Sequence, residues 1–268
     1  MTIGIVGTGK VGTTFAIAFQ QCGHRVLSAS SRATDLAQKV ADSADIVFLT
    51  VSDDAVQEVA SRIRWRARVG VVHCSGVLDL DALASATAQK ARVAALHPLQ
   101  MFADVESALQ SLPESTFVLE GEESLVVQLE ELTRQVHATP LRLQIRNRGL
   151  YHASVNYAGP FVIALLREAA KLWNCLGLTE EQALRALLPL IRGTLTGVQA
   201  AGLAAGMGGP VARGDSRTIE RHLRALQEKA PHQLDLYRVL CERTIPLALE
   251  RRTLGQEAAD RIRQLLAV

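Results

Sequence analysis

The four cysteines, Cys22, Cys74, Cys175 and Cys241, stand far apart and make no Cys-x-x-Cys pair. No zinc spacing is visible, and each reads as a small buried apolar residue rather than a metal ligand. Charge imbalance is also missing. The formal net charge is +2 and the basic residues are spread out, so electrostatics give no reason to expect a nucleic-acid partner. No apolar run reaches the ~18 residues of a membrane span. The N-terminus has no basic n-region and is already strand-like, so no signal peptide is expected. These absences describe a soluble cytoplasmic protein. With 268 residues, 48% hydrophobic and 21% charged, it has enough apolar material for one large domain or two small ones.

The chain opens with Ile3-Gly4-Ile5-Val6-Gly7-Thr8-Gly9-Lys10-Val11-Gly12, an apolar strand running into the spacing Gly-x-Gly-x-x-Gly. Gly7 permits a tight turn, Gly9 lets backbone approach a pyrophosphate, and Gly12 lets the following helix pack on the strand. Gly12, Phe15, Ala16 and Phe19 then recur at helical spacing. Gly4, Gly9 and Lys10 also satisfy part of a triphosphate-binding loop. That loop needs Ser or Thr next for magnesium, and this chain has Val11.

Strands are predicted near Thr2 to Val6, Arg25 to Ser30, Ile46 to Val51, Val69 to His73, Val93 to Leu96 and Thr116 to Leu119, with another after His137. Their alternation with helices predicts a doubly wound parallel sheet, with ligands beyond the carboxyl ends of its strands. From about Asn147 strand-like runs vanish. Thr179-Glu180-Glu181-Gln182 is a capping-box pattern ahead of Leu184, Leu187, Leu188, Ile191 and Leu195. The fold expected is therefore a dinucleotide-binding Rossmann domain over residues 1–146, then an all-helical substrate and dimerisation domain over 147–268. The apolar, glycine-rich stretch from Leu184 to Gly206 predicts a homodimer through the helical half.

Ser30-Ser31-Arg32 stands where dinucleotide folds that prefer NAD carry an acidic residue, about 20 residues beyond the glycines. The hydroxyl of Ser31 and the guanidinium of Arg32 suit a 2′-phosphate, so the cofactor expected is NADP. The competing reading makes Arg32 an exposed loop charge. Val51 and Ser52 end the third strand in the cofactor crevice, and Asp53 and Asp54 read as caps of the next helix. His73-Cys74-Ser75-Gly76 and His97-Pro98-Leu99 bring two histidines to the same rim. His152 and Asn156 are four apart and share a helical face, an arrangement able to protonate and orient a carbonyl, or simply to tie helices together. The loop Gly208 to Asp215 carries Arg213, with Asp215 or Ser216 capping the next helix.

These strings resemble the Rossmann-like proteins with a C-terminal domain of unknown function, within the 6-phosphogluconate dehydrogenase-like superfamily. The resemblance spans nearly the whole chain. It rests on His73-Cys74-Ser75-Gly76, His97-Pro98-Leu99, Tyr151-His152 with Asn156, and Gly209-Pro210-Val211-Ala212-Arg213-Gly214-Asp215. Relatives include ketopantoate reductase, pyrroline-5-carboxylate reductase and the β-hydroxyacid dehydrogenases. The resemblance implies NADP binding and a helical domain that closes the site and often dimerises. β-Hydroxyacid dehydrogenases use a Lys and an Asn four residues apart on the helix after the Rossmann domain. His152 and Asn156 match the spacing, with histidine at the lysine position, and ketopantoate reductases rely on a lysine as well. His97-Pro98 is similar to the substrate-side His-Pro of prephenate dehydrogenases.

The expectation drawn is an NADPH-dependent reductase of a small oxo acid, of ketopantoate type. Gly7, Thr8, Gly9, Lys10, Val11 and Gly12 hold the pyrophosphate, and Ser31 and Arg32 the 2′-phosphate. Val51, Ser52 and His73 lie by the nicotinamide. His152 gives the proton, Asn156 orients the oxygen, and His97, Ser75 and Arg213 meet substrate. Imine reduction and a non-catalytic NADP-responsive binding protein are the alternatives.

Overall fold

The computed structural model describes residues 1–267 and divides into two compact units, Met1–Pro160 and Phe161–Val268. The first unit contains seven strands in the order β2-β1-β3-β4-β5-β6-β7, with β1 Thr2–Val6, β2 Arg25–Ala29, β3 Ile46–Leu49, β4 Gly70–His73, β5 Arg92–Pro98, β6 Thr116–Gly121 and β7 Thr139–Arg142. All seven expected strands form. Two depart in polarity: β6 pairs antiparallel with β5 and β7 parallel with β6, so both run opposite to the five strands that precede them. Strand periodicity is identical in both directions, so sequence alone carried no polarity signal.

Helices cover both faces: α1 Lys10–Gln21, α2 Thr34–Ser43, α3 Asp53–Arg62, α4 Ala84–Ala88, α5 Val105–Ser111 and α6 Glu123–Gln135. On one face Phe15 and Phe19 of α1 stack with Phe48 and Phe117 of the sheet. The Phe15–Phe48 pair is edge-on, with centroids 5.9 Å apart. Such aromatic pairs add roughly 0.5–1.5 kcal/mol beyond their burial. The other face buries Val6, Val40, Val47, Leu49, Val71 and Trp65. Alternation along β5 puts Leu96 into the aromatic face and Ala95 and His97 on the opposite one.

The helix α7, Arg148–Ala158, starts because Asn147 caps it, accepting from Leu150 N at 2.9 Å. A division at 146/147 would give α7 to the helical domain, but the first compact unit runs on through Pro160. The cause is polar: Arg148 and Tyr151 are bonded to residues of β6 and β5.

The second unit contains α8 Pro160–Asn174, whose first residue still belongs to the first unit, then α9 Glu180–Gly206, α10 Ser216–Lys229, α11 Leu234–Glu250 and α12 Gln256–Leu266. Thr179 forms the expected capping box, and Asp215, rather than Ser216, caps α10. The core of this unit holds Ile219, Ile245, Ala248 and Ile262. By contrast, α8 and α9 bury only Ala170 and Ala183, and they expose Phe161, Ile163, Leu190, Leu195 and Leu203. The helix α9 is broken at Gly202, whose φ of +81° is the left-handed conformation open to glycine. Among the described residues no helix is long and apolar enough to cross a membrane, and no cluster of side chains is placed to hold a metal. Of the cysteines, Cys241 is buried, whereas Cys175 is exposed at the end of its helix rather than buried as its apolar character suggested.

Candidate active site

The turn between β1 and α1 is built around close approaches that only glycine allows. A Cβ on Gly12 would lie 2.0 Å from Gly7 O and 2.5 Å from Thr50 Oγ1. Gly7 has φ +115°, and its carbonyl accepts from Thr50 Oγ1 at 2.7 Å. Thr50 thus buttons the turn to the end of β3, a role that no motif in the sequence announced. A side chain on Gly9 would meet nothing within 4 Å. The helix behind it has no side-chain cap and no acidic residue in its first turn. The free N–H groups of the helix start, the positive end of its dipole and the open space over Gly9 fit a pyrophosphate. Thr8, Gly9 and Lys10 are exposed and Val11 is half-buried, consistent with the expected cradle.

Ser31 and Arg32 lie on the turn after β2, where Arg32 N donates to Ser30 Oγ at 3.3 Å. The Arg32 side chain is exposed and makes no ion pair among the described residues, so its guanidinium is available to a ligand. Val51 packs under Gly7, and Ser52 is the N-cap position of α3 without a side-chain bond. Asp53 and Asp54 therefore sit in the first turn of α3 and do not cap it, contrary to the expectation from sequence.

The two rim histidines differ. His73 is fully buried at the end of β4, and Ser75 N donates to its Nδ1 at 3.3 Å. Burial, reinforced by the Arg148 charge, lowers its pKa to about 4, so it is neutral at physiological pH. Ser75 turns its Oγ back onto the loop, accepting from Val77 N and Leu78 N, both at 3.1 Å. These bonds shape the segment that presents Gly76.

His97 and His152 come together over Gly76. Their ring centroids are 6.0 Å apart, and a Cβ on Gly76 would lie 2.7 Å from His97 Cε1 and 2.8 Å from His152 Cδ2. His97 Nδ1 is hydrogen-bonded to Tyr151 Oη at 2.7 Å. Burial and then the neighbouring His152 lower the His97 pKa to about 4, while Asp53 works in the opposite sense. Neither ring nitrogen of His152 makes a hydrogen bond among the described residues. Asn156 does share its face, but the amide Nδ2 donates to His152 O at 3.0 Å and so ties the helical turn that carries the histidine.

Arg148 anchors this arrangement. Only 5% exposed, it bonds Glu120 of β6 and reaches Asp79 at 3.4 Å. Register places His73 opposite Ala95 and Ala95 opposite Glu120, so the acid meets the sheet at the level of the first histidine. No role was expected from the sequence for Thr50 or Arg148, nor for Gly76 and Tyr151, which figure there only in the strings that carry the resemblance. His152 was expected to arrive from a separate helical domain, but it belongs to the unit that carries His97. Arg213 lies in the second unit, exposed on the tight turn from Pro210 to Asp215.

Residues 2–75 match the family described as NADP oxidoreductase coenzyme F420-dependent, and residues 115–244 match the domain of unknown function DUF2520. The chain joins an NADP-binding Rossmann domain to a DUF2520 domain. The DUF2520 match begins inside the sheet and takes in Glu120, Arg148, Tyr151 and His152; His97 and Gly76 fall between the two matches. No curated protein matches the chain. Among solved structures, protein TM1727 from Thermotoga maritima is 23% identical with a TM-score of 0.73, over 93% of this chain and 99% of its own. The 1-pyrroline-5-carboxylate reductase of Streptococcus pyogenes is 16% identical with a TM-score of 0.63, over 93% and 98% of the two chains. A reductive aminase from Aspergillus terreus, solved with NADPH and ethyl levulinate, is 16% identical with a TM-score of 0.64, over 97% and 98%. At these identities the likeness is one of fold.

Proposed function

We propose that this protein is an NADPH-dependent reductase of a small compound with a C=N or C=O bond. The observation that carries the reading is the His97–His152 pair over Gly76, on the first unit's rim that also carries the glycine turn. Bound NADPH supplies the hydride. The N–H groups of the turn from Gly7 to Gly12 hold its pyrophosphate, Ser31 and Arg32 its 2′-phosphate, and Val51, Ser52 and His73 line the nicotinamide end. His152, with both ring nitrogens free, gives the proton to the substrate heteroatom. Asn156 fixes the turn that aims it, and Ser75 shapes the Gly76 loop. The rim keeps His97 neutral beside His152, so the pair does not place two positive charges together.

The C=N bond is the better-supported target. Two of the solved structures named above are by name a pyrroline-5-carboxylate reductase and a reductive aminase, and none of those named is of ketopantoate type. A screen of NADPH oxidation across cyclic imines and small oxo acids tests the reading. Turnover of at least one imine is expected; inertness toward both classes would refute it.

A further inference from the structure

The proposed reductase reading makes no use of one contact, the hydrogen bond between Tyr151 Oη and His97 Nδ1 at 2.7 Å. We propose that Tyr151 is a positioning residue whose hydroxyl donates to His97 Nδ1, holding the ring as its Nε2–H tautomer, a neutral donor for an acceptor atom of the substrate. This rests on the reductase reading for its use, though not for the tautomer itself.

Which ring nitrogen of a histidine carries the proton is set by the hydrogen bond that the other makes. Here the partner is a phenol, a much stronger acid than a neutral imidazole N–H and therefore the natural donor of the two. Arg148 sharpens that preference, because its charge favours electron density on the phenol oxygen and polarises the O–H. Burial nevertheless keeps the hydroxyl protonated, with its pKa pushed up to about 12, so a proton is always present to donate. The opposite ring edge carries Nε2, which would lie 2.8 Å from a Cβ on Gly76 and makes no hydrogen bond among the described residues. The charged or titratable groups acting on His97 are His152, Arg148 and Asp53.

The chemistry selects a substrate form. An N–H donor needs a lone pair, which a carbonyl oxygen or a neutral imine nitrogen has and an N-alkylated iminium lacks. In the reaction the substrate carbon gains the hydride of NADPH, the C=N π pair moves to nitrogen, and that nitrogen takes the proton of His152. His97 keeps its own proton throughout and only holds the nitrogen in line. The site is thus built for neutral imines or carbonyls and against preformed N-alkylated iminium ions.

Long-range proton–nitrogen correlation spectra of the nitrogen-15-labelled full chain near neutral pH test the tautomer, with the His97 signals identified by their loss in His97→Gln. The expected spectrum has a protonated Nε2 and a bare Nδ1, and in Tyr151→Phe a mixture of both tautomers. A predominant Nδ1–H form in the parent, or an unchanged tautomer in Tyr151→Phe, would overturn the proposal. In turnover, Tyr151→Phe should lower kcat about tenfold on a neutral cyclic imine, the worth of one hydrogen bond, with KM for NADPH unchanged. An N-alkylated iminium should be a poor substrate for parent and variant alike; equal sensitivity of both substrate types would refute the role in selection. If no imine or oxo acid is turned over, the reductase reading fails while the spectra still decide the tautomer.

Discussion

Replacing Gly76 with alanine is the cleanest perturbation of this site. Gly76 does not occupy the left-handed region, so alanine adds no backbone strain and the effect is steric alone. The new methyl would stand 2.7 Å from His97 Cε1 and 2.8 Å from both His97 Nε2 and His152 Cδ2, and ordinary contact begins near 3.4 Å. Each ring must therefore retreat from the methyl by about 0.6–0.7 Å. His97 is held by Tyr151, so the movement either stretches that 2.7 Å bond or turns His152 outward. Overpacking of this kind costs about 1–3 kcal/mol, or a fall in Tm of roughly 2–12 °C in a chain of this size. The rate should suffer more, because misplacing reacting groups by about 1 Å costs roughly 10²-fold. Gly76→Ala should thus lose at least about tenfold in kcat while binding NADPH as tightly as the parent, since the phosphate turn is untouched. Calorimetric titration with NADPH, a thermal melt and steady-state turnover on whichever imine the screen finds give the three readouts. A folded Gly76→Ala with parental kcat would show that the histidine pair is not where the reaction occurs.

Four further outcomes are expected. Arg32→Ala should weaken NADPH by about 10–100-fold, the worth of a charged hydrogen bond, and leave NADH nearly unaffected; equal losses for both cofactors in calorimetry would remove Arg32 from the 2′-phosphate site. Glu120→Gln should destabilise the chain by about 3 kcal/mol in urea unfolding and Arg148→Met by less, because the first leaves a buried cation short of its partner whereas the second frees a carboxylate that water can reach; the reverse order would contradict the burial argument. His73 and His97 both have folded pKa values lowered to about 4, below their unfolded value, so the unfolded chain binds more protons between those limits. Stability should be fully present above pH ~6.5 and fall as pH drops toward 4, by on the order of 3 kcal/mol from His73 alone; a urea midpoint flat across that window would refute the assignment. The apolar side chains exposed along α8 and α9, Leu190, Leu195 and Leu203 among them, should be covered by a second copy, giving a dimer in sedimentation at micromolar concentration; a monomer there would refute it.

Much of the scaffold was legible in the residues, because periodic burial leaves a pattern. The seven strands, the Gly7 to Gly12 turn and the Thr179 capping box each follow from local rules that hold wherever the chain is placed. The reversal of β6 and β7 was not legible, since alternation looks the same from either end. Nor were the supports of the candidate site. Thr50, Gly76, Tyr151 and Arg148 are single residues whose importance comes from what lies across space, 54 residues apart in the case of His97 and Tyr151. Arg148 is one of 29 basic residues, and nothing in its neighbours marks it as buried. Asn156 was legible as a face-sharing partner of His152, yet its amide turned out to be occupied by the helix backbone.

The burial of Arg148 has a consequence for the proposed reaction. Its side chain is 3% exposed, whereas those of its partners Glu120 and Asp79 are 21% and 73% exposed. Water screens the two acids far more than it screens the guanidinium, so the ion pair does not cancel at a distance. What reaches His73, His97 and Tyr151 is a residual positive potential, and it favours the neutral histidines and electron density on the phenol oxygen alike. An arginine does not deprotonate in a protein, so this bias is constant across pH. When a hydride reaches the carbon of a C=N or C=O bond, negative charge gathers on the heteroatom for an instant. In the proposed reaction, a fixed, poorly screened cation already in place would stabilise that instant without any group having to reorient.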